Sequence, residues 1–214
     1  MGDTTVLVLG GNPPSEDLLF WRLEDADRSI AVDGGFLSFM HTDHLPDVLI
    51  GDLDSVSELD TLESKYPNLQ VVRIKDQDTT DFQKALVWVK ENSKTSHLII
   101  LGALGKRTDH LITNLLIALT AEESLEITLD DDQEWIRRVT PSCPLLLTGR
   151  KGDGLSLLFL QECAGVETTG LKWNLKEDSM DCKQIVGQSN LCESDSVEIR
   201  CDAGSFFVFL EKER

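Results

Sequence analysis

The chain has 214 residues, 41% of them hydrophobic and 27% charged, enough for one large globular domain or two smaller ones. Its net charge of −18 excludes broad electrostatic attraction to a nucleic-acid duplex or an anionic membrane, but admits a nucleotide screened by a divalent cation. No apolar run nears the roughly 20 residues of a membrane helix, and the start Met1-Gly2-Asp3 lacks the basic stretch of a secretory signal.

In chain order, Val6-Leu7-Val8-Leu9 predicts a strand that ends at Gly10-Gly11, and residues 15–23 predict a helix. Ser29-Ile30-Ala31-Val32 predicts a second strand closed by the turn Asp33-Gly34-Gly35. Val48-Leu49-Ile50 predicts a third, followed by Gly51-Asp52-Leu53-Asp54-Ser55. A fourth, residues 70–74, ends at Lys75-Asp76. Thr80 and Gln83 then match a capping box, and Phe82, Ala85, Leu86 and Val89 form the apolar stripe of a helix reaching about Glu91. His97-Leu98-Ile99-Ile100-Leu101 predicts a fifth strand, ending at Gly102. A helix starting near Thr108 or Asp109 carries Leu111, Leu115 and Leu119 on one face. Continuous apolar runs of this kind suit strands buried on both faces of a parallel sheet.

After Asp132 the texture changes to short strand-like runs, 145–147, 155–159, 197–199 and 206–209, punctuated by glycines. The fold class expected is therefore α/β. A mostly parallel sheet with flanking helices, Rossmann-like, is followed by a smaller carboxyl-terminal all-β, sandwich-like domain. The expected domains are residues 1–135 and 136–214. Five cysteines, all after position 140 and without a C-x-x-C pair, suggest reduced, buried thiols in the cytosol rather than a zinc site.

Three motifs lie where strands end, the edge at which open α/β sheets bind ligands. Asp52 and Asp54 offer hard oxygens of the kind Mg²⁺ takes alongside phosphate. The run Asp76-Gln77-Asp78-Thr79-Thr80-Asp81 adds Asp81 in the first turn of a helix, where the helix dipole alone also accounts for a carboxylate. Three carboxylates brought to one place would repel one another unless a divalent cation joined them. In Gly102-Ala103-Leu104-Gly105-Lys106-Arg107-Thr108-Asp109, two glycines allow close backbone approach to a ligand, and Lys106 and Arg107 supply charge for phosphate. The same stretch also reads as a plain strand–helix turn with Asp109 as the N-cap. In the β-rich part, Trp173 suits either a core position or a stacking surface for a cationic ring. Ser189 and Asn190 sit in a polar turn.

Together, Asp33-Gly34-Gly35, Gly51 to Ser55, Asp76 to Phe82, Gly102 to Asp109, and Gly170 to Leu175 with Ser189-Asn190 resemble the thiamine pyrophosphokinase family, in order and spacing. The resemblance implies transfer of the pyrophosphoryl group of ATP to the thiamine hydroxyl, giving thiamine diphosphate and AMP. It implies a homodimer with sites at the subunit interface, while the cysteine usage leads us to expect a cytoplasmic location. Asp52, Asp54 and Asp81 would hold Mg²⁺ and, with Arg107, form the catalytic set. Asp33, Gln77, Thr80, Lys84, Arg107 and Asp109 would lie on the ATP side, and Trp173, Ser189 and Asn190 on the thiamine side. Lys106 and Thr108 depart from the family pattern, which favours a small and an aromatic residue there. Two other readings compete: a Mg²⁺-dependent phosphatase using Asp52 and Asp54, and a non-catalytic sensor of nucleotide or vitamin.

Overall fold

In the computed structural model, which describes residues 2–40, 42–53, 64, 66–183 and 187–212, the apolar runs of the first half become parallel strands. The chain divides into two units, Met1–Ile117 with Leu129–Asp132, and Ala118–Thr128 with Gln133–Arg214.

The first unit holds β1 (Asp3–Val8), β2 (Arg28–Val32), β3 (Val48–Gly51), β4 (Gln70–Arg73) and β5 (Thr95–Leu101). They lie in the order β5-β1-β2-β3-β4. Every neighbouring pair is parallel, with Leu7 opposite both Ile30 and Ile100. Both faces of the central strands are covered, so Val6, Leu7 and Val8 are all fully buried. On one face Leu18, Leu19, Phe36 and Phe39 pack against Val6, Val8, Ala31 and Leu49. Leu18 and Leu19 come from α1 (Glu16–Glu24), whose N-cap Ser15 accepts from the Leu18 amide; Phe36 comes from a 3₁₀ turn over Asp33–Ser38. The sequence led us to expect only a turn at Asp33. α2 (Asp81–Asn92) packs on β2 and β3, burying Phe82, Ala85, Trp88 and Val89. Its capping box is formed as expected: Thr80 Oγ1 accepts from the Gln83 amide, and Gln83 Oε1 accepts from the Thr80 amide. The chain runs outward from β1 to β4 and then returns to place β5 on the other side of β1. The strand order therefore reverses between β1 and β5.

α3 (Thr108–Thr120) and β6 (Glu126–Asp130) contribute residues to both units. The second unit contains two antiparallel arrays. One has β12 (Asn190–Leu191), β9 (Gly154–Leu158), β14 (Phe206–Glu211) and β7 (Glu134–Val139) in that order. The other has β11 (Asp178–Met180), β10 (Cys163–Thr169), β13 (Ser196–Arg200) and β8 (Leu145–Thr148). Alternate residues of both, Leu145 and Leu147, Leu155 and Leu157, Val197 and Ile199, Phe206 and Val208, share one core. The four short glycine-punctuated runs read from the sequence lie in β8, β9, β13 and β14. β6, β7, β10, β11 and β12 were not expected. β7 carries two arginines, and both Arg137 and Arg138 are buried, against the usual exposure of charge.

The cysteine expectation needs a correction. All five are free thiols, but only Cys163, Cys192 and Cys201 are buried, whereas Cys143 is half-buried and Cys182 exposed. Burial pushes the Cys163 thiol up to about 11 and that of Cys201 up to about 12. Among the described residues no helix is long and apolar enough to cross a membrane.

Candidate active site

The carboxyl ends of β2 and β3 each lead into an acidic residue, Asp33 and Asp52. Asp33 follows β2 with φ 44°, a left-handed backbone for a residue with a side chain. A Cβ added to Gly51, at the end of β3, would lie 3.2 Å from the Asp33 Cβ, so the Asp33 side chain rests against that strand end. Asp33 Oδ1 is buried and has no hydrogen-bond partner. A buried carboxylate oxygen without a donor is costly, and it fits a position that a ligand completes. Asp52, half-buried, comes one residue after Gly51. Leu53 follows with φ 65° and is 2% exposed, so its side chain joins the core beneath the loop. Asp54 lies outside the described residues.

The next loop starts beside this one, because Gly51 pairs in register with Arg73. Asp76 organises it by accepting from the Asp78 amide at 3.0 Å and from the Thr79 hydroxyl. The Thr79 bond, then that of Asp78, holds the Asp76 carboxyl below its ordinary range. Asp76 is thus a loop former, a role announced by the D-x-D-T spacing of an Asx turn. Gln77 is exposed, and the Thr80 hydroxyl is engaged in the cap. Asp81 opens α2, and its Oδ1 receives Lys84 Nζ at 2.8 Å. Lys84 is only 6% exposed, so the ammonium is held in place by packing as well as by charge.

Magnesium takes carboxylate oxygens directly and fills its remaining positions with water and phosphate oxygens. Asp52 and Asp81 are carboxylates of the kind such an ion takes, and the orphaned Asp33 oxygen lies at the same sheet edge. Among the described residues, no three acidic, histidine or cysteine side chains cluster closely enough to form a metal cage by themselves.

The basic loop lies farther along the same edge. β5 is three strand positions from β3, or about 14 Å at the usual strand spacing. The edge therefore carries acidic residues at β2–β4 and basic ones after β5. Arg107 is forked onto Asp109, with Nη2 at 2.6 Å and Nε at 3.1 Å. That pair brings Asp109 down to about 2 and raises Arg107. Asp109 lies inside the first turn of α3 rather than at its N-cap.

The glycines here do something other than expected. A Cβ on Gly102 would sit 2.3 Å from Leu9 O, and one on Gly105 would strike the Asn12 amide at 1.9 Å. Gly11 is equally tight, 2.3 Å from Gly102 O. The space that glycine provides is filled by the chain itself, as the loops after β1 and β5 pack backbone to backbone. Gly11 donates to Gly102 O at 2.7 Å and Asn12 to Leu104 O at 2.8 Å.

The second unit has its own concave site, a cavity of about 680 Å³ lined in part by Asp153, Ser156, Gln188, Ser189, Asn190 and Phe209. Ser189 holds φ 54°, and its amide donates to Ser156 Oγ at 2.9 Å. The Asn190 side chain is 5% exposed and bonds the Trp173 backbone twice: Oδ1 accepts from the Trp173 amide at 3.2 Å, and Nδ2 donates to its carbonyl at 2.8 Å. In this structure Asn190 therefore fixes the loop that carries Trp173. The indole is 59% exposed, which settles the choice between core and surface. Lys172 Nζ sits 4.7 Å from the ring centroid, a cation already resting on one face. Asp153, Ser156 and Gln188 were not singled out from the sequence; for Ser156, the alternation of β9 was the available signal.

Comparison with known proteins places both parts of the chain. The family model for "Thiamin pyrophosphokinase, catalytic domain" matches residues 21–129, and that for "Thiamin pyrophosphokinase, vitamin B1 binding domain" matches residues 145–206. The chain is 31% identical over 169 residues to Thiamine pyrophosphokinase 1 of Oryza sativa subsp. japonica, covering 74% of this chain and 63% of that one. It is 29% identical over 225 residues to Thiamine pyrophosphokinase 2 of Arabidopsis thaliana, covering 92% and 82%. Among solved structures, Thiamine pyrophosphokinase from Bacillus subtilis superposes with a TM-score of 0.80 at 24% identity, over 99% of this chain and 100% of that one. The yeast protein of that name gives 0.76 at 18% identity, over 98% and 86%. At those identities the structural likeness speaks for the fold.

Proposed function

The chain belongs to the thiamin pyrophosphokinase family, and we propose on that footing that it transfers the pyrophosphoryl group of ATP to the hydroxyl of thiamine, releasing AMP. The thiamine hydroxyl oxygen attacks the β-phosphorus. The bond from that phosphorus to the bridging oxygen breaks, and the electron pair leaves with AMP. The hydroxyl proton passes to a carboxylate, Asp81 or Asp54. Such transfer depends chiefly on positioning and on countering phosphate charge. Mg²⁺ would be held by Asp52, Asp54 and Asp81, and when bound would neutralise phosphate oxygens. Lys84 orients the Asp81 carboxylate through its 2.8 Å contact. Arg107 and Asp33, with Gln77 and Thr80 on the next loop, belong to the ATP side. Trp173 and Ser189 belong to the thiamine side, with Asn190 holding Trp173 in place. An exposed indole suits thiamine because a cationic thiazolium is drawn to its face. The helix-covered parallel sheet agrees with a Rossmann-like reading, and the two β arrays over one core with a sandwich-like one.

The observation that carries this reading is the buried, partnerless Asp33 oxygen set against the strand end that presents Asp52. The test is AMP formation from ATP, expected to require both thiamine and Mg²⁺. Phosphate release from ATP at the same rate without thiamine would refute it.

A further inference from the structure

Lys106 departs from the family pattern, and its geometry gives it a role. It follows β5 with φ 54°, a left-handed conformation that disfavours any residue with a Cβ. Its side chain crosses to the loop after β1, where Nζ donates to Gly10 O at 2.8 Å. These are the two loops at which the strand order reverses, the crevice where doubly wound sheets receive ligands. The residue is exposed and, among the described residues, its ammonium makes no ion pair, although the protein carries a net charge of −18. The neighbouring Arg107 is already forked onto Asp109. An ammonium has three donors, and one neutral carbonyl occupies only one of them. Of the two cations, Lys106 is the one that need not give up a carboxylate to meet an anion.

We propose that Lys106 is a phosphate-binding residue: its ammonium, held at the sheet edge above β1 and β5 by the Gly10 carbonyl, takes a non-bridging phosphate oxygen of the nucleotide. This rests on the nucleotide reading given above. It adds a second counter-charge beside Arg107, at a position where the family favours a small residue. A charged acceptor is a stronger partner than a peptide carbonyl, so the ammonium gains by sharing or exchanging it.

The test compares Lys106→Met, Lys106→Gly and Lys106→Arg in the full chain. The first two are expected to raise KM for MgATP about ten-fold, the size expected for losing a charge-assisted hydrogen bond. KM for thiamine should stay within two-fold and the melting temperature should hold. The salt dependence of the ATP KM should flatten, and Lys106→Arg should recover most of the affinity. Glycine relieves the left-handed backbone, so Lys106→Gly separates charge from strain. Inhibition by AMP and by inorganic triphosphate then identifies the phosphate, according to which of them Lys106→Met weakens. An unchanged ATP KM in both Met and Gly variants overturns the proposal. So does an equal loss for ATP and thiamine with a lowered melting temperature, the signature of a mere loop tether. If the wild-type protein forms no AMP at all, the pyrophosphokinase reading fails instead, and calorimetric titration with MgATP still decides the role of Lys106.

Discussion

Asp33, Leu53 and Lys106 follow β2, β3 and β5 at one sheet edge, and all three hold left-handed backbones. Each such residue costs about 1–2 kcal/mol. At Leu53 the offset is visible: burying a leucine contributes about 1.5–3 kcal/mol, and the side chain is 2% exposed. The buried Leu53 pins the turn, and the adjacent Asp52 stays at the rim. Asp33 and Lys106 have no comparable apolar offset, and strain that packing does not explain is characteristic of functional positions. We expect Asp52→Asn to lower turnover by about two orders of magnitude, the usual size for losing one electrostatic stabiliser. Its melting temperature should match the wild type, because removing charge from an acidic edge relieves repulsion. Near-normal turnover in this variant would take Asp52 out of the catalytic set.

At the scale of elements, the carboxyl end of α3 is held by a residue far from it in sequence. Arg138 on β7 is fully buried, and its guanidinium donates to the carbonyls of Ala118 at 2.9 Å, Ala121 at 2.8 Å and Glu122 at 2.6 Å, and to that of Leu125. Helix carbonyls at that end lack intrahelical partners and attract cations. Desolvation disfavours the charge enough to bring the Arg138 pKa down to about 10, yet four carbonyls keep it there. Arg138→Met keeps much of the volume and leaves those carbonyls unsatisfied. The expected loss is roughly 3 kcal/mol of stability, from several buried acceptors at about 1 kcal/mol or more each. Chemical denaturation measures it, and a loss below 1 kcal/mol would show that water replaces the arginine at no cost.

At the scale of the whole molecule, the residues proposed for nucleotide and for thiamine reside in different units, and the family resemblance implies a dimer with shared sites. Mixing Asp52→Asn with Trp173→Ala, each inactive alone, tests this. Subunit exchange should restore part of the activity, because some heterodimers would then carry one intact site. No recovery despite proven exchange would mean that each chain builds its own site.

The sequence by itself determined the parallel strands, the capped helix at Thr80, and the acidic and basic motifs at strand ends. Those features follow from local rules: apolar period, capping chemistry, and the habit of polar residues to gather where a buried strand stops. It also carried the family, through short motifs in fixed order. Tertiary structure decided the rest. The purpose of Gly102 and Gly105 depended on what stands opposite them, and the answer was Leu9 and Asn12 rather than a ligand. β7 was hidden because its arginines look exposed in sequence, and only the carbonyls brought to Arg138 by the fold make its burial tolerable. The separation of Asp52 from Arg107 along one edge came from strand order, which no local pattern encodes. Lys106 reads in sequence as a charge available for phosphate; only the Gly10 carbonyl on the neighbouring loop shows where its ammonium is held.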